Sequence, residues 1–314
     1  MSDDSLQQLL EVQAHFRLPS VGLVEKDLHV VRAIAAVLSV DTDPFSLVFG
    51  GGTALARAHR LVRRMSEDID FKIVPRTGAP EARSARRRAL SQLRARVSAA
   101  LQHAGFPFDA ADRSQSWARD EDRYLVWHLP YDPMTNTATS LRPTIKVELT
   151  YAPLRRPTVT QSVQSFVAEA LGRPAEVPEA ACVSLVETAA EKLVSLTRRT
   201  AMEMAGAGRD PDPTLVRHVY DLHMMRDLVD LDVVAALARD IAITDAQEFG
   251  NQHPAYKADI AGETRRAVAA LRGDALHRDR YVRFLADMVY GDRPAFDAAM
   301  ETVAAVATQA WGAE

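Results

Sequence analysis

Two aspartates one residue apart, Asp68 and Asp70, stand in the run "DIDFKIV" with apolar residues between and after them. The alternation predicts a strand, on which residues two apart point the same way with Cα atoms about 6.5–7 Å apart. Both carboxylates then share one face while Ile69 and Phe71 enter a core. Parallel anions at that separation repel unless positive charge lies between them, and hard divalent cations with oxygen ligands commonly supply it. A Mg2+ pair about 3.5–4 Å apart can bind the attacking and leaving oxygens of a phosphoryl or nucleotidyl displacement. Mg2+, with Mn2+ as the variant, is therefore the expected cofactor. "TIKVELT" offers a third carboxylate, Glu148, on a strand flanked by Ile145, Val147 and Leu149. A charge there is costly unless it is paired or metal-bound. Lys146 lies two positions away on the same face and joins the candidate nucleotide contacts.

The stretch "FGGGTALARAHRLVRRMSE" precedes the first aspartate. Gly50, Gly51 and Gly52 let the backbone take positive φ and turn its N–H groups toward one point. Thr53 is expected to open a helix whose N-terminal dipole favours an anion. A triphosphate resting on Gly51, Gly52 and Thr53 would meet metals held by Asp68, Asp70 and Glu148. Arg64 is either a phosphate ligand or the ion-pair partner of Glu67 or Asp68. Most glycine turns merely turn, and D-x-D alone is common in loops. The specific signal is the order: strand, glycine turn, helix, about a dozen residues, D-x-D on a strand, then a strand carboxylate.

These residues need a scaffold, and the chain supplies a mixed one. Residues 5–40 read as helical, with Glu25, Lys26 and Asp27 on a face opposite the apolar positions. "SLVF" is a short buried strand ended by Gly50, "TALARAHRLV" a helix, and "YLVWHL" and "TIKVELTY" further strands. Between them "RTGAPEARSARRRALSQLRAR" carries seven arginines against one glutamate and should be helical after Pro80. It is either a solvated face or a phosphate-backbone patch. "GRPAEVPEA" reads as a linker, and from Ala180 onward only helical patterns remain. "GAGRDPDP" reads as a loop, with Pro213 in the first turn of the next helix. The expected fold class is α+β: an α/β domain with N-terminal helices over residues 1–172 and an all-α domain over 173–314.

Composition bounds the partners. The 314 residues are 47% hydrophobic and 25% charged, as in a folded globular chain, and carry a formal charge of −4. Any RNA contact must therefore come from a local basic patch. One cysteine, Cys182, allows no internal disulfide framework and suits a reducing cytosol, where it is expected in the core. No apolar run approaches the roughly 20 residues of a membrane helix. The acidic start "MSDDSLQQLL" shows no basic n-region of a secretory signal. A cytoplasmic location without membrane partners is expected. His218 and His223 are five apart on a predicted helix, the wrong spacing for a shared metal.

The ordered motifs resemble the AbiEii/AbiGii toxin family of nucleotidyltransferases, which includes the MenT toxins. They are "GGTAL" at residues 51–55, "RMSEDIDF" at 64–71, "LVEKDLHVVRAI", "IKVEL", "EKLVSLTRR" and "RHVYDL", spread over most of residues 20–225. The resemblance implies a minimal polymerase-β-like nucleotidyltransferase core with a helical domain across a cleft. It implies the toxin half of a toxin–antitoxin or phage-defence pair, with a cognate antitoxin from a neighbouring gene. It also implies NMP transfer from an NTP to RNA, at the tRNA acceptor end. Ser66 would lie in the phosphate cradle, and Asp70 or Glu148 near the attacking hydroxyl. Lys192 would reach the triphosphate, with Asp221 orienting it or acting near the nucleophile. Glu25, Lys26 and Asp27 would border the nucleotide or make a helix–domain contact. The rival expectations are a protein or small-molecule hydroxyl as acceptor, and a non-catalytic NTP-binding regulatory protein.

Overall fold

The computed structural model describes residues 3–134, 141–206, 212–248, 250 and 253–312. The loop expected around residues 206–213 lies largely outside them. The chain divides into two compact units, residues 1–183 and 184–314.

In chain order the first unit contains α1 (Asp3–Phe16), α2 (Val21–Leu38), β1 (Phe45–Gly50), α3 (Gly51–Arg57), β2 (Asp68–Pro75) and α4 (Arg83–His103). There follow β3 (Ser116–Arg119), β4 (Tyr124–Pro130), β5 (Thr144–Tyr151), β6 (Val159–Val163), α5 (Phe166–Ala170) and β7 (Val177–Cys182). The strands form one sheet in the order β3-β4-β5-β2-β1-β7-β6. β2 runs parallel to β5 and β1 parallel to β7, while the other neighbours are antiparallel.

The period-two pattern decides which way each strand faces. On β2, Ile69, Phe71 and Ile73 are buried while Asp68, Asp70 and Lys72 are half-buried on the other side. β5 repeats this with Ile145, Val147 and Leu149 against Lys146 and Glu148. The inward residues join a core with Val30, Ile34 and Val37 of α2 and Leu90, Leu93, Val97 and Leu101 of α4. Trp127 of β4 fixes α4 to that face by donating from Nε1 to Ser98 Oγ at 2.9 Å. The sheet thus has a helix-covered apolar face and a face bearing the carboxylates.

Several local expectations change. "GRPAEVPEA" is no simple linker, because β7 begins inside it and pairs with β1 and β6. The helix after the glycines stops at Arg57 instead of running on to Val62. Strands β3 and β6 were not expected; both are short and carry polar residues at the sheet's outer positions, where one flank lacks a partner strand and alternation is weak. Glu25, Lys26 and Asp27 are buried, not on a solvent face.

The second unit is helical among its described residues: α6 (Leu185–Met204), α7 (Arg217–Met225), α8 (Leu231–Glu248), α9 (Pro254–Ala258), α10 (Ile260–Gly273), α11 (Ala275–Met288) and α12 (Phe296–Trp311). α6 packs on α7, α8 and α10, and α12 packs on the same three. Ser184 caps α6 by accepting from Glu187 N at 3.3 Å. Pro213 lies in turns ahead of α7 rather than in its first turn.

Candidate active site

Gly50 ends β1 in extended backbone, and the chain reverses at Gly51, the one glycine of the three with positive φ, at +72°. The reversal starts α3 directly beside β2, where Gly50 is the register partner of Asp70. A β-carbon on Gly51 would fall onto the Asp70 carboxylate. Gly52 is needed for a different reason: its β-carbon would stand 2.5 Å from an Arg64 guanidinium nitrogen and 2.9 Å from Ser66 Oγ. Asp70 therefore packs against the turn at Gly51, and Arg64 and Ser66 against it at Gly52. Thr53 is the third residue of α3; it is buried and its hydroxyl donates to the Asp68 carbonyl. That bond ties α3 to β2 and leaves the Thr53 side chain committed to the fold.

Arg64 is 2% exposed and donates to the Met65 carbonyl at 2.9 Å. The Glu67 carboxylate meets Lys26 and Arg142. Glu67 meets Lys26 Nζ at 3.0 Å and accepts from Arg142 N at 2.8 Å. Lys26 also donates to the carbonyls of Arg142 at 2.6 Å and Thr144 at 2.8 Å, so it fastens α2 to the entrance of β5. Burial lowers the Lys26 pKa from its ordinary value, against the Glu67 carboxylate, which raises it. Beside it, Glu25 Oε1 accepts from Met134 N at 2.6 Å. Asp27 pairs with Arg57 Nε at 2.7 Å and accepts from Phe166 N at 2.7 Å. The three consecutive charges of α2 are thus internal fasteners, each directed at a different segment of the first unit.

The carboxylates form two adjacent columns. Asp68 and Asp70 of β2 stand opposite Lys146 and Glu148 of β5, so all four side chains project from one face. Asp68 receives a hydrogen bond from the Arg142 guanidinium at 2.7 Å. Burial works against that guanidinium's charge, but Asp68 and Glu67 outweigh it and hold the Arg142 pKa above its ordinary value. Glu148 Oε1 lies 2.5 Å from Lys146 Nζ and also accepts from the Tyr124 hydroxyl. Burial first, then the Glu148 charge, pushes the Tyr124 phenol far above the usual range, so it stays a donor at any ordinary pH.

The metal expectation can be tested on this arrangement. Among the described residues no group of three or more His, Cys, Asp or Glu side chains stands ready to hold a metal ion. The donor set suits one chemically, being three carboxylates on neighbouring strands. Arg142 and Lys146 neutralise two of them, and a divalent ion would have to exchange with those cations. Arg142 is 48% exposed and Lys146 25%, so both have solvent to move into.

In the second unit Lys192 of α6 meets Asp221 of α7 at 2.8 Å, with 7% and 0% exposure. The two residues that the resemblance singled out are thus a buried ion pair, a more costly arrangement than a snorkelling lysine and a surface acid. His218 lies in the same helix as Asp221 and is buried. Cys182 is buried in the core, and burial raises its thiol pKa to about 12.

Sequence reasoning missed Arg142 and Tyr124. Arg142 and Tyr124 come from segments far away in the chain and meet the aspartate strand only through sheet register. The arginine helix also has an unexpected position. Its apolar side packs on the core face of the sheet, so its arginines lie on the side away from the carboxylates.

Comparison with known proteins bears on the family and the fold. A family model described as nucleotidyl transferase AbiEii toxin, type IV toxin–antitoxin system, matches residues 32–302. Among solved structures, the nucleotidyltransferase toxin MenT4 from Mycobacterium tuberculosis H37Rv aligns with TM-score 0.58 at 16% identity. The alignment covers 98% of this chain and 90% of that one. At that identity the likeness speaks for the fold. No curated protein matches by sequence.

Proposed function

The chain belongs to the AbiEii family of nucleotidyltransferase toxins of type IV toxin–antitoxin systems, and from that premise we propose that it transfers a nucleoside monophosphate from an NTP to an RNA hydroxyl, at the tRNA acceptor end. The observation that carries this reading is the Gly51 turn pressed against Asp70, with Asp68 and Glu148 beside it on one sheet face. The acceptor oxygen attacks the α-phosphorus as the bond to the β-phosphate oxygen breaks, and pyrophosphate leaves. Asp70 or Glu148 takes the hydroxyl proton. Amides of the Gly51–Gly52 turn, with Arg64 and Ser66 beneath them, bind the phosphates. Lys146 is a further phosphate contact. From the family resemblance, Lys192 is assigned to the leaving pyrophosphate, and Asp221, its partner at 2.8 Å, to holding that lysine.

Asp68, Asp70 and Glu148 would hold Mg2+ or Mn2+, which supplies charge neutralisation at the phosphorus and lowers the pKa of the acceptor hydroxyl. No helix among the described residues is long and apolar enough to cross a membrane. With a single cysteine, this supports action in the cytoplasm, beside an antitoxin encoded nearby.

Incubating the protein with Mg2+, each labelled NTP in turn, total RNA and a separate protein fraction tests the reading. Label in RNA of tRNA size is expected. Label confined to protein or to small molecules would replace the acceptor, and absence of pyrophosphate release would leave a binding protein.

A further inference from the structure

The sheet face that carries the carboxylates continues outward to β3, and the register aligns one row across it. Trp117 stands opposite Val126, Val126 opposite Glu148, Glu148 opposite Asp70, and Asp70 opposite Gly50. Residues directly opposed on neighbouring strands share a face, so Trp117 projects on the same side as the carboxylates. It lies three strands from Asp70, about 14 Å at the usual spacing. Trp117 is only half-buried although it is a large aromatic on an outermost strand.

Its neighbours form a continuous chain toward the site. The exposed Arg119 guanidinium covers the Trp117 ring at 4.5 Å. The Tyr124 ring meets Trp117 at 5.4 Å, and its hydroxyl donates to Glu148. Around Trp117 opens a groove of about 670 Å³ whose cationic lining is Arg94, Arg113 and Arg119. Arg94 comes from α4 on the helix-covered side, where it donates to Ser116 Oγ at 3.1 Å, so the groove wraps the sheet margin from that side to the Trp117 side, and Asp122 also lines it. One aromatic plane among three guanidinium groups is the chemistry that takes a single-stranded nucleic acid: stacking for a base and cations for the backbone.

Resting on the reading of RNA as acceptor, we propose that the Arg119–Trp117 stack is the platform for an unpaired base of the acceptor strand a few nucleotides from its reacting end. Arg94 and Arg113 take the phosphates that flank that base. Tyr124 links the platform to Glu148, so an acceptor docked on Trp117 is held in line with the carboxylate columns. Trp117 and Arg119 are positioning residues, since they touch the acceptor away from the reacting atoms.

Steady-state transfer to tRNA, and to a short single-stranded RNA ending in CCA, tests this with Trp117→Ala, Trp117→Phe and Arg113→Ala. Base stacking is worth about 1–3 kcal/mol, so Trp117→Ala is expected to raise the RNA KM about tenfold. The NTP KM should not move, and kcat should change little. Trp117→Phe keeps a stacking face and should stay near the parent value. Arg113→Ala, an exposed change, should reduce the slope of log affinity against log salt by about 0.7. A loss confined to kcat, or an unchanged RNA KM in Trp117→Ala, overturns the platform. If the parent protein labels no RNA at all, the acceptor reading itself falls and takes the platform with it.

Discussion

At Asp70 the site rests on a contact that only glycine permits. Gly51 carries both a positive φ and a close approach to the Asp70 carboxylate. Gly51→Ala therefore strains the backbone by about 1–2 kcal/mol and displaces Asp70. A shift of about 1 Å at a reacting group costs on the order of a hundredfold, and that loss of transfer is expected. Gly78 has φ +84° with open space around it, so Gly78→Ala repeats the strain without the collision. It should lower the melting temperature slightly and leave transfer intact; equal losses in both variants would remove the special role of Gly51. At this scale the sequence was informative where chemistry and period coincide. D-x-D on an alternating strand placed both carboxylates on the correct face, because alternation and burial are the same information. It was uninformative about partners. Nothing around Arg142 or Tyr124 marks them as neighbours of Asp68 and Glu148, since that relation exists only once β5 lies between β4 and β2.

At the scale of elements, α2 is the fastener of the first unit. Lys26→Met takes the nearer of two cations from the 8%-exposed Glu67, Arg142 Nε remaining at 3.5 Å, and leaves two carbonyls without their donor. Breaking a buried pair this way costs about 3–5 kcal/mol, to be read as a lower urea midpoint. An unchanged midpoint would mean the pair contributes nothing. Asp27 gives a pH-dependent test. Burial raises its pKa to about 6, with the Arg57 charge opposing. A raised carboxyl pKa means the native state binds the proton more tightly than the unfolded one. That contribution to stability is fully present below about 4 and is lost as pH rises through about 6. Subtracting the Asp27→Asn profile from the parent profile should leave a decline between those limits. A flat difference would contradict the burial argument. Helical periodicity set Glu25, Lys26 and Asp27 opposite the apolar positions, and of the two roles expected for them they make the helix–domain contact. Three charges on consecutive residues point in three directions, and here each meets a partner from a different segment.

For the whole molecule, the chain folds as two compact units, and the second has a buried charge pair of its own. Lys192→Met removes the cation 2.8 Å from the buried Asp221 carboxylate, and about 3–5 kcal/mol of stability should go with it. Lys192→Met combined with Asp221→Leu removes both charges and should recover most of that stability without recovering transfer. Recovery of both would make the pair purely structural. The division of the chain into a mixed unit and a helical one was legible from the change in periodicity. Its border was less so, because β7 is short, begins next to a proline and a glutamate, and is a strand only through pairing with β1 and β6.

The most direct test of the account is Mg2+-dependent transfer of label from an α-labelled NTP to RNA by the parent chain and by Asp70→Asn, with circular dichroism confirming that the variant is folded. Transfer and pyrophosphate release by the parent, both abolished in the folded variant, are the predicted result. A folded Asp70→Asn protein that transfers at the parental rate would contradict the assignment of the carboxylate face as the reacting site.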